Sequence, residues 1–261
     1  MSNDRQNRAA RAEQMRRERE KADRKQRNLI TAGIVTVVIV LISIGGYAVK
    51  SASNDNKKNT TVVQPANATD DYGVVYDSVA AGGTQTAGTT PVQVELYEDF
   101  QCPVCKAFEQ ANGDFLDRQV EAGTISIIYK PFSFLDEVGG SPNRYSHRAT
   151  NAALCVLADG GVPAYKKMHD LLYEKQPEER TDGPEDDELI DRAKEVGVTG
   201  IDSCVDTEKY VPWIDKAKSV AAGAGIRRTP TVLVDGQEVQ NPSGGAPQIN
   251  DLQAAIDSAQ S

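Results

Sequence analysis

Residues 97–105 read YEDFQCPVC and place Cys102 and Cys105 two residues apart. The residues just before them, 91–97 (PVQVELY), have the composition of a β-strand, with a proline at the first position, where its missing N–H does little harm. The residues just after them, 106–122 (KAFEQANGDFLDRQVEA), have apolar side chains at helical spacing. We therefore predict that Cys102 lies where a strand ends and a helix begins.

A dithiol at the beginning of a helix has a specific chemical property. The helix dipole and the free N–H groups of the first turn stabilise the Cys102 thiolate, and Cys105 lies one turn further along, close enough to form a disulfide with it. Only a thiolate attacks a disulfide, and a stabilised thiolate is also the better leaving group. The pattern therefore predicts a redox-active pair in which Cys102 is the reactive member.

A cysteine pair with this spacing also occurs as half of a zinc site, which needs further ligands. No second C-x-x-C is present, and Cys155 and Cys204 lie 50 and 99 residues after Cys105. His147 and His169 fall in helical segments with no ligand spacing to the pair, so we interpret both as surface or packing residues. We predict neither a metal nor another cofactor.

Further segments complete an expected α/β core. Residues 124–129 (TISIIY) have the composition of a buried strand, and residues 231–239 form a hairpin pattern around the favoured turn Asp235-Gly236. Residues 248–259 have the apolar spacing of a closing amphipathic helix. We therefore predict an α/β layer architecture with a helical insertion over about residues 141–222. The insertion contains four helical segments, at 142–158, 162–174, 184–196 and 211–222.

A second motif, Arg228-Thr229-Pro230-Thr231, comes immediately before the late strand. Because proline lacks the N–H that a strand ladder requires, Pro230 is not expected inside a strand. We expect a cis peptide bond between Thr229 and Pro230, although only about 5% of such bonds are cis in general.

The N-terminal part differs in composition from everything that follows. Residues 1–28 contain ten Lys or Arg and five Asp or Glu, a local charge of +5 in a chain whose net charge is -9, so the residues from 50 onward carry -14. Residues 29–49 carry no charge, and as a helix they span roughly the 30 Å hydrocarbon core at about 1.5 Å per residue. We predict a single uncleaved transmembrane helix there. The alternative, a cleaved signal peptide, usually has a shorter apolar stretch and a shorter basic leader.

The charge distribution also predicts the orientation of this helix. Because the cations are concentrated before residue 29, the positive-inside rule makes residues 1–28 a basic cytoplasmic leader and places everything after residue 50 outside the cell membrane. The alternatives, nucleic-acid binding or helix pairing by the leader, are less simple than contact with anionic lipid heads. We predict a single-pass cell-membrane protein with an extracytoplasmic domain and no nucleic-acid partner.

The residues after the predicted membrane span have a linker composition. Residues 50–90 contain no Leu, Ile, Phe, Met or Trp, so they bury too little apolar surface to offset chain entropy, and we predict a flexible extracytoplasmic linker. The exception is 72–76 (YGVVY), an expected edge strand of the domain that follows. The folded domain is then 91–261, long enough for a sizeable single core.

The two motifs and the elements between them resemble the DsbA-like thiol-disulfide oxidoreductases of the thioredoxin fold, in a membrane-tethered bacterial form. The resemblance covers about residues 90–261 and rests on YEDFQCPVC, the strand before it, the helical insertion and TPTVLVDG. It implies that Cys102 is the nucleophile and that Cys105 resolves the mixed disulfide. It also implies that Pro230 is the family's cis-proline, which lies across from the dithiol and presents backbone to the substrate, with Thr229 just before it.

The chain departs from this family at two positions. The best-known member type has His before the second cysteine, where Val104 stands here. The buried acid often found six residues before the first cysteine is replaced by Leu96, with Glu95, Glu98 and Asp99 nearby as candidate proton acceptors. Both changes predict a less acidic Cys102 and a less strongly oxidising pair than in the extreme members.

Cys155 and Cys204 both fall in the helical insertion, on the exported side of the predicted topology. In an oxidising compartment two cysteines in one subdomain are most simply a structural disulfide. Closing a loop of about 50 residues stabilises by roughly 4 kcal/mol in the chain-entropy model. The alternative is two unpaired buried thiols.

These observations lead to one functional hypothesis and two alternatives. The hypothesis is an enzyme that introduces disulfides into reduced exported polypeptides and is reoxidised by a separate membrane-bound partner, as the family resemblance implies. The first alternative is a reductase or isomerase of the same fold. The second is a non-catalytic binding module in which the cysteine pair is a static crosslink.

Overall fold

A computed structural model describes residues 61–84 and 90–261 of the chain, in which five strands and six helices follow one another. The expected strand, helix, strand order around the cysteine pair is present, and so are the late hairpin and the closing helix. The elements are β1 (Val74–Tyr76), β2 (Val92–Glu98), α1 (Pro103–Glu121), β3 (Ile125–Pro131), α2 (Tyr145–Glu174), α3 (Asp186–Glu195), α4 (Asp202–Asp206), α5 (Val211–Gly223), β4 (Thr231–Val234), β5 (Gln237–Glu238) and α6 (Ile249–Ala259).

The strands form one mixed sheet with the order β1-β3-β2-β4-β5. β2 and β3 are parallel, and α1 connects them, whereas the other pairs are antiparallel. All seven residues of β3 are buried, which agrees with its run of β-branched and aromatic residues at the inside of a sheet. The hairpin between β4 and β5 turns at Asp235 and Gly236, both with positive φ, as the favoured two-residue turn requires.

Helices α2 to α5 lie between β3 and β4 in the chain and form the predicted helical insertion. We expected separate helices at 142–158 and 162–174, and the break between them is present: within the helical stretch Tyr145–Glu174, called α2 here, Gly161 has a non-helical backbone that divides the stretch into two helical segments. Gly161 has φ 74°, which glycine adopts without steric cost, and Pro163 follows in the next turn. The short helix α4 was not predicted, because five residues are too few to show a helical period.

Cys155 in α2 and Cys204 in α4 form a disulfide bond. Cys155 is completely buried, and Asn151, one turn earlier in α2, donates to the Cys204 carbonyl oxygen at 3.3 Å. The bond therefore joins the long helix of the insertion to its shortest one.

The expected flexible linker, 50–90, is wrong for residues 61–84, which belong to the folded unit. The Asn67 side chain donates to the Leu157 carbonyl oxygen at 3.1 Å, and β1 pairs with β3. The Asp71 carboxylate is 2.6 Å from the Lys130 ammonium, and the ring of Tyr72 packs against Trp213 with centroids 5.2 Å apart. The amino-acid composition predicted a linker because this segment has few apolar residues. Its stabilising contacts come instead from the rest of the domain.

No helix in 61–84 or 90–261 is long and apolar enough to cross a membrane. The predicted span at 29–49 and the basic leader at 1–28 lie outside the residues that the structure describes. Both therefore stay predictions.

Candidate active site

The reactive pair lies at the junction of β2 and α1. Cys102 is the residue immediately before α1, in extended backbone conformation, and Pro103 occupies the first helical position. A proline suits that position because its φ is already helical and its missing N–H has no helical partner there. The N–H of Cys102 donates to the Asp99 carbonyl oxygen at 2.9 Å and closes the turn into the helix. The structure thus places Cys102 at the helix N-terminus, as predicted.

The two thiols are free, and their properties differ sharply. A hydrogen bond from the Cys105 thiol lowers the pKa of Cys102 to about 7 against the opposing effect of burial, and the N–H groups of Cys105 and Val104 add to this lowering. Complete burial raises the pKa of Cys105 well above its usual value, and the Glu98 charge acts in the same direction. Cys102 is therefore the available thiolate, while Cys105 retains its proton.

Strand β4 brings the second motif next to the pair. Tyr97 near the end of β2 pairs with Thr231 at the start of β4, so the residues before Thr231 lie beside the beginning of α1. The Thr229-Pro230 peptide bond is cis, and the Thr229 carbonyl oxygen is 3.7 Å from the Cys102 Sγ. The Thr229 side chain is buried, and its interaction with the sulfur lowers the pKa of Cys102 further. The fold thus assembles Cys102, Cys105, Thr229 and Pro230 in one place.

Comparison with known proteins agrees with this geometry. A family model described as thioredoxin matches residues 82–258. The chain belongs to the thioredoxin family. DsbA from Mycobacterium tuberculosis, in its reduced form, is 30% identical with a TM-score of 0.56, over 72% of this chain and 99% of that one. The DsbG disulfide bond oxidoreductase of the same organism is 32% identical with a TM-score of 0.53, over 68% and 90%.

A more distant structure shares the fold alone. BdbD from Bacillus subtilis is 20% identical with a TM-score of 0.57, over 67% of this chain and 90% of that one. No curated protein matches the chain. The predicted thioredoxin-like α/β fold is confirmed, and the protein is an enzyme of the DsbA-like thiol-disulfide oxidoreductase class.

In this DsbA-like enzyme the loop before the pair is organised by Asp99, which is completely buried. Its carboxylate accepts hydrogen bonds from the N–H of Gln101 at 2.9 Å and the hydroxyl of Ser146 at 2.6 Å. It also accepts from the N–H groups of Phe134 and Leu135, at 2.9 and 3.1 Å. Burial raises the pKa of Asp99 although these bonds oppose the rise. We therefore assign Asp99 to the support of the loop that carries the pair.

The insertion also contacts the active-site loop through a residue that sequence reasoning missed. The side-chain amide of Gln176, just after α2, donates to the carbonyl oxygens of Phe100 and Cys102 at 3.1 and 3.0 Å. Gln101 reaches in the opposite direction and donates to the carbonyl oxygens of Glu178 and Thr181. No local pattern signals these contacts, because the partners are 74 to 80 residues apart.

Both histidines are buried and paired with carboxylates. Of the two predicted roles, surface residue or packing residue, the structure supports the second. His169 Nε2 lies 3.2 Å from a Glu98 oxygen, and Nδ1 lies 3.1 Å from Asp170. Burial opposes a charged ring, but the bonds to Asp170 and Glu98 raise the pKa of His169 to about 10. His147 pairs in the same way with Asp136 and Asp215.

The structure shows the surroundings of Leu96 and Val104, the two residues that depart from the family pattern. Leu96, at the position of the usual acid, is buried in the apolar core, and Val104 is half exposed on the first turn of α1. Of the three nearby acids, Glu95 accepts a hydrogen bond from the Tyr97 hydroxyl at 3.0 Å, while Asp99 binds the loop. Glu98 is therefore the acid whose charge acts on Cys105.

Proposed function

We propose that this enzyme introduces disulfide bonds into exported proteins by thiol-disulfide exchange at the Cys102–Cys105 pair. The observation that carries the proposal is the asymmetry of the pair. Cys102 has a pKa of about 7 and adjoins the cis-Pro230 segment, whereas Cys105 is completely buried with a raised pKa. This asymmetry makes Cys102 the sulfur that exchanges with the substrate.

The exchange proceeds in two balanced steps. A substrate thiolate attacks Cys102 Sγ in the oxidised enzyme, the bond to Cys105 breaks, and Cys105 leaves with the electron pair and takes up a proton. A second substrate thiolate then attacks the substrate sulfur of the mixed disulfide, and Cys102 leaves as a thiolate. The lowered pKa of Cys102 favours this second step, because a stabilised thiolate is a better leaving group.

Two single substitutions test the assignment of the sulfurs. Cys102→Ser is expected to abolish the oxidation of a reduced, unfolded substrate. In Cys105→Ser, Cys102 stays reactive but lacks its partner, so stable mixed disulfides with substrate are expected on non-reducing gels. If the Cys102 variant retains full activity, the mechanism is wrong.

A reductase or isomerase is the second candidate, and one observation favours it. A Cys102 pKa of about 7 equals that of the reductant thioredoxin and lies well above the ~3.5 of the strongest oxidants of this fold. The reduction potential of the pair, measured in glutathione or dithiothreitol buffers, decides between the two. Values nearer about -120 mV support the oxidase and values near about -270 mV support the reductase.

The proposal includes a place for the enzyme in the cell. Residues 29–49 anchor it in the cell membrane, the basic leader at 1–28 is cytoplasmic, and the catalytic domain is extracytoplasmic. The charge distribution of the sequence supports this topology. The anchor keeps the enzyme in the same bilayer as a membrane-bound partner that reoxidises the pair, while reduced exported polypeptides are the substrates.

The topology has a direct test. A membrane-impermeant thiol reagent applied to intact cells after mild reduction is expected to label Cys102, and the protein is expected to fractionate with membranes. The matched control removes residues 29–49 and is expected to leave the protein unlabelled inside the cell. Labelling of Cys102 only after cell lysis would contradict the proposed orientation.

A further inference from the structure

Three potential metal ligands meet below the active site, where β2, α1 and α2 come together. Glu98 ends β2, Glu109 lies in the second turn of α1, and His169 lies in the last part of α2. One ligand atom from each of the three residues lies within 4.8 Å of the other two. The imidazole Nε2 and a Glu98 oxygen already face each other at 3.2 Å.

Two buried carboxylate oxygens in this cluster have no hydrogen-bond partner in the described part of the chain. They are Oε1 of Glu98 and Oε1 of Glu109. The Glu98 side chain is only 7% exposed. Buried polar atoms are almost always satisfied, because leaving one unpaired costs free energy. Two such oxygens beside an imidazole nitrogen point to a ligand that accepts their lone pairs.

The surroundings of His169 match those of a metal-binding imidazole, in which the ion takes the place of the proton that Nε2 shares with Glu98 in the metal-free protein. Its Nδ1 is 3.1 Å from the Asp170 carboxylate, which orients the ring so that Nε2 faces the two glutamates. A carboxylate on the far nitrogen is the usual second partner of a metal-binding histidine, because it holds the ring and makes the metal-facing nitrogen more basic.

An acidic surface cavity adjoins the cluster at Glu109. The charged residues that line this cavity, between α1 and α2, are Glu109, Asp114, Asp117, Lys166, Asp170 and Glu174. Five of these six ionisable residues are acidic, so the cavity attracts cations. Lys166 is already bound to Asp117 and Asp170 at 3.1 and 2.7 Å.

We propose that Glu98, Glu109 and His169 form a binding site for a divalent transition-metal ion, with Zn²⁺ as the best match. Two carboxylate oxygens and one imidazole nitrogen are a donor set that Zn²⁺ accepts, with water from the cavity in the remaining position. Ca²⁺ and Mg²⁺ fit less well, because they take six or more oxygen ligands. The site contains neither cysteine, shares Glu98 with the surroundings of Cys105, and goes beyond the proposed function.

The geometry gives the bound ion a mechanical role. The three ligands belong to the end of β2, the active-site helix and the long helix of the insertion. An ion would connect these elements at a point close to the reactive pair. Since it binds only the folded chain in this arrangement, its binding stabilises the fold.

The test uses the full-length chain, purified without a histidine tag and with both cysteine pairs oxidised, so that no thiolate can bind metal. After dialysis against Zn²⁺, we expect a single tightly bound ion per chain. Glu109→Gln and His169→Gln each remove one ligand and are expected to weaken binding about tenfold or more. Asp114→Asn is the matched control, because Asp114 lines the same cavity but lies outside the cluster.

Two further readouts make the outcome decisive. Zn²⁺ is expected to raise the melting temperature of wild type and Asp114→Asn but not of Glu109→Gln, because that variant lacks one of the three ligands. Co²⁺ is expected to give the absorption of an oxygen and nitrogen site, without the intense band of thiolate ligands. Absence of a bound ion in the oxidised wild type, or equal affinity in both ligand variants and wild type, would overturn the proposal.

Discussion

Cys102 and Cys105 are separated by two residues, yet their thiols have opposite chemical properties. Cys102 lies at the N-cap position of α1 and receives hydrogen bonds that lower its pKa to about 7, whereas Cys105 is completely buried and its pKa is raised by that burial. The spacing alone predicts that the two sulfurs can meet. Which of them ionises depends on the environment that surrounds each one.

The Thr229 hydroxyl provides a prediction about the Cys102 thiolate. The Thr229 side chain is buried, and its interaction with the Cys102 sulfur lowers the pKa of Cys102. Thr229→Val removes the hydroxyl at nearly constant volume. We expect the pKa of Cys102 to rise by about half a unit to one unit, the equivalent of one hydrogen bond of about 1 kcal/mol. The measurement is the pH dependence of iodoacetamide alkylation of the reduced enzyme.

Thr229→Ser is the matched control, because serine keeps the hydroxyl and loses only a methyl group. Its alkylation midpoint is expected to stay near that of wild type. A Val variant with an unchanged midpoint would show that the hydroxyl does not act on the sulfur.

Asp99 provides a second prediction at the residue scale. Its two carboxylate oxygens each accept two hydrogen bonds, from Gln101 and Ser146 on one side and from Phe134 and Leu135 on the other. In Asp99→Asn one oxygen becomes an NH2 group that cannot accept, so the bond from the Gln101 N–H, or those from Phe134 and Leu135, is lost and the remaining bonds lose the carboxylate charge. We expect a loss of about 3 kcal/mol in the free energy of unfolding, measured in urea. Asp114→Asn, on the exposed surface of α1, is expected to change stability by less than about 0.5 kcal/mol.

At the scale of elements, the position of the site depends on contacts between elements that are distant in sequence. The Tyr97 and Thr231 pairing of β2 with β4 brings cis-Pro230 to the pair. Gln176, after α2, binds the carbonyl oxygens of Phe100 and Cys102. The helical insertion therefore contributes hydrogen bonds that hold the active-site loop in place.

His147 links α2 to α5 and to the loop after β3, and it provides a prediction about pH. Burial opposes its charge, but the hydrogen bonds to Asp136 and Asp215 raise its pKa to about 9, while the pKa values of both acids are lowered. A histidine pKa above its unfolded value of about 6.5 stabilises the fold fully below pH 6.5, and this stabilisation is lost as the pH rises through 9. The contribution is at most about 3 kcal/mol.

The measurement compares His147→Gln with wild type in urea at pH 6 and at pH 9.5, so that all other titrating groups cancel. The difference in unfolding free energy is expected to be largest at pH 6 and clearly smaller at pH 9.5. Equal differences at the two pH values would exclude a charged His147 in the folded protein.

At the scale of the whole molecule, the folded unit contains more residues than the distribution of apolar residues in the sequence predicts. It begins at residue 61 rather than 91, because β1 and the turns before it pack on the sheet and the insertion. The insertion is itself crosslinked, since the Cys155–Cys204 bond closes a segment of 49 residues between α2 and α4.

The crosslink provides a prediction that separates stability from catalysis. The double variant Cys155→Ala/Cys204→Ala is expected to lose about 4 kcal/mol in the free energy of unfolding, because the unfolded chain regains the entropy of the opened loop. The alkylation rate of Cys102 in the reduced, folded protein is expected to stay within about twofold of wild type, since its pKa depends on other groups. A large change in that rate would show that the bond also shapes the active site.

The strands, the helix after Cys102 and the hairpin at Asp235-Gly236 were predictable from the sequence, because each depends on residues that are neighbours in the chain. The C-x-x-C pair at a helix start was predictable for the same reason. The roles of Gln176 and His169 were not, since their partners Phe100, Cys102 and Glu98 lie more than 70 residues away. The folded status of residues 61–84 was also not predictable, because their stabilising contacts come from other segments.

The amino-acid sequence by itself therefore determined the fold class, the reactive dithiol and the order of the elements. These features depend on periodicity, turn residues and motif spacing, which act over a few neighbouring residues. The tertiary structure alone decided how the two thiols differ, which carboxylates reach them, and that a buried cluster of Glu98, Glu109 and His169 lies beneath them. The physical reason is that burial and electrostatic interaction depend on distance in space, which exists only after the sheet and the insertion have closed around the pair.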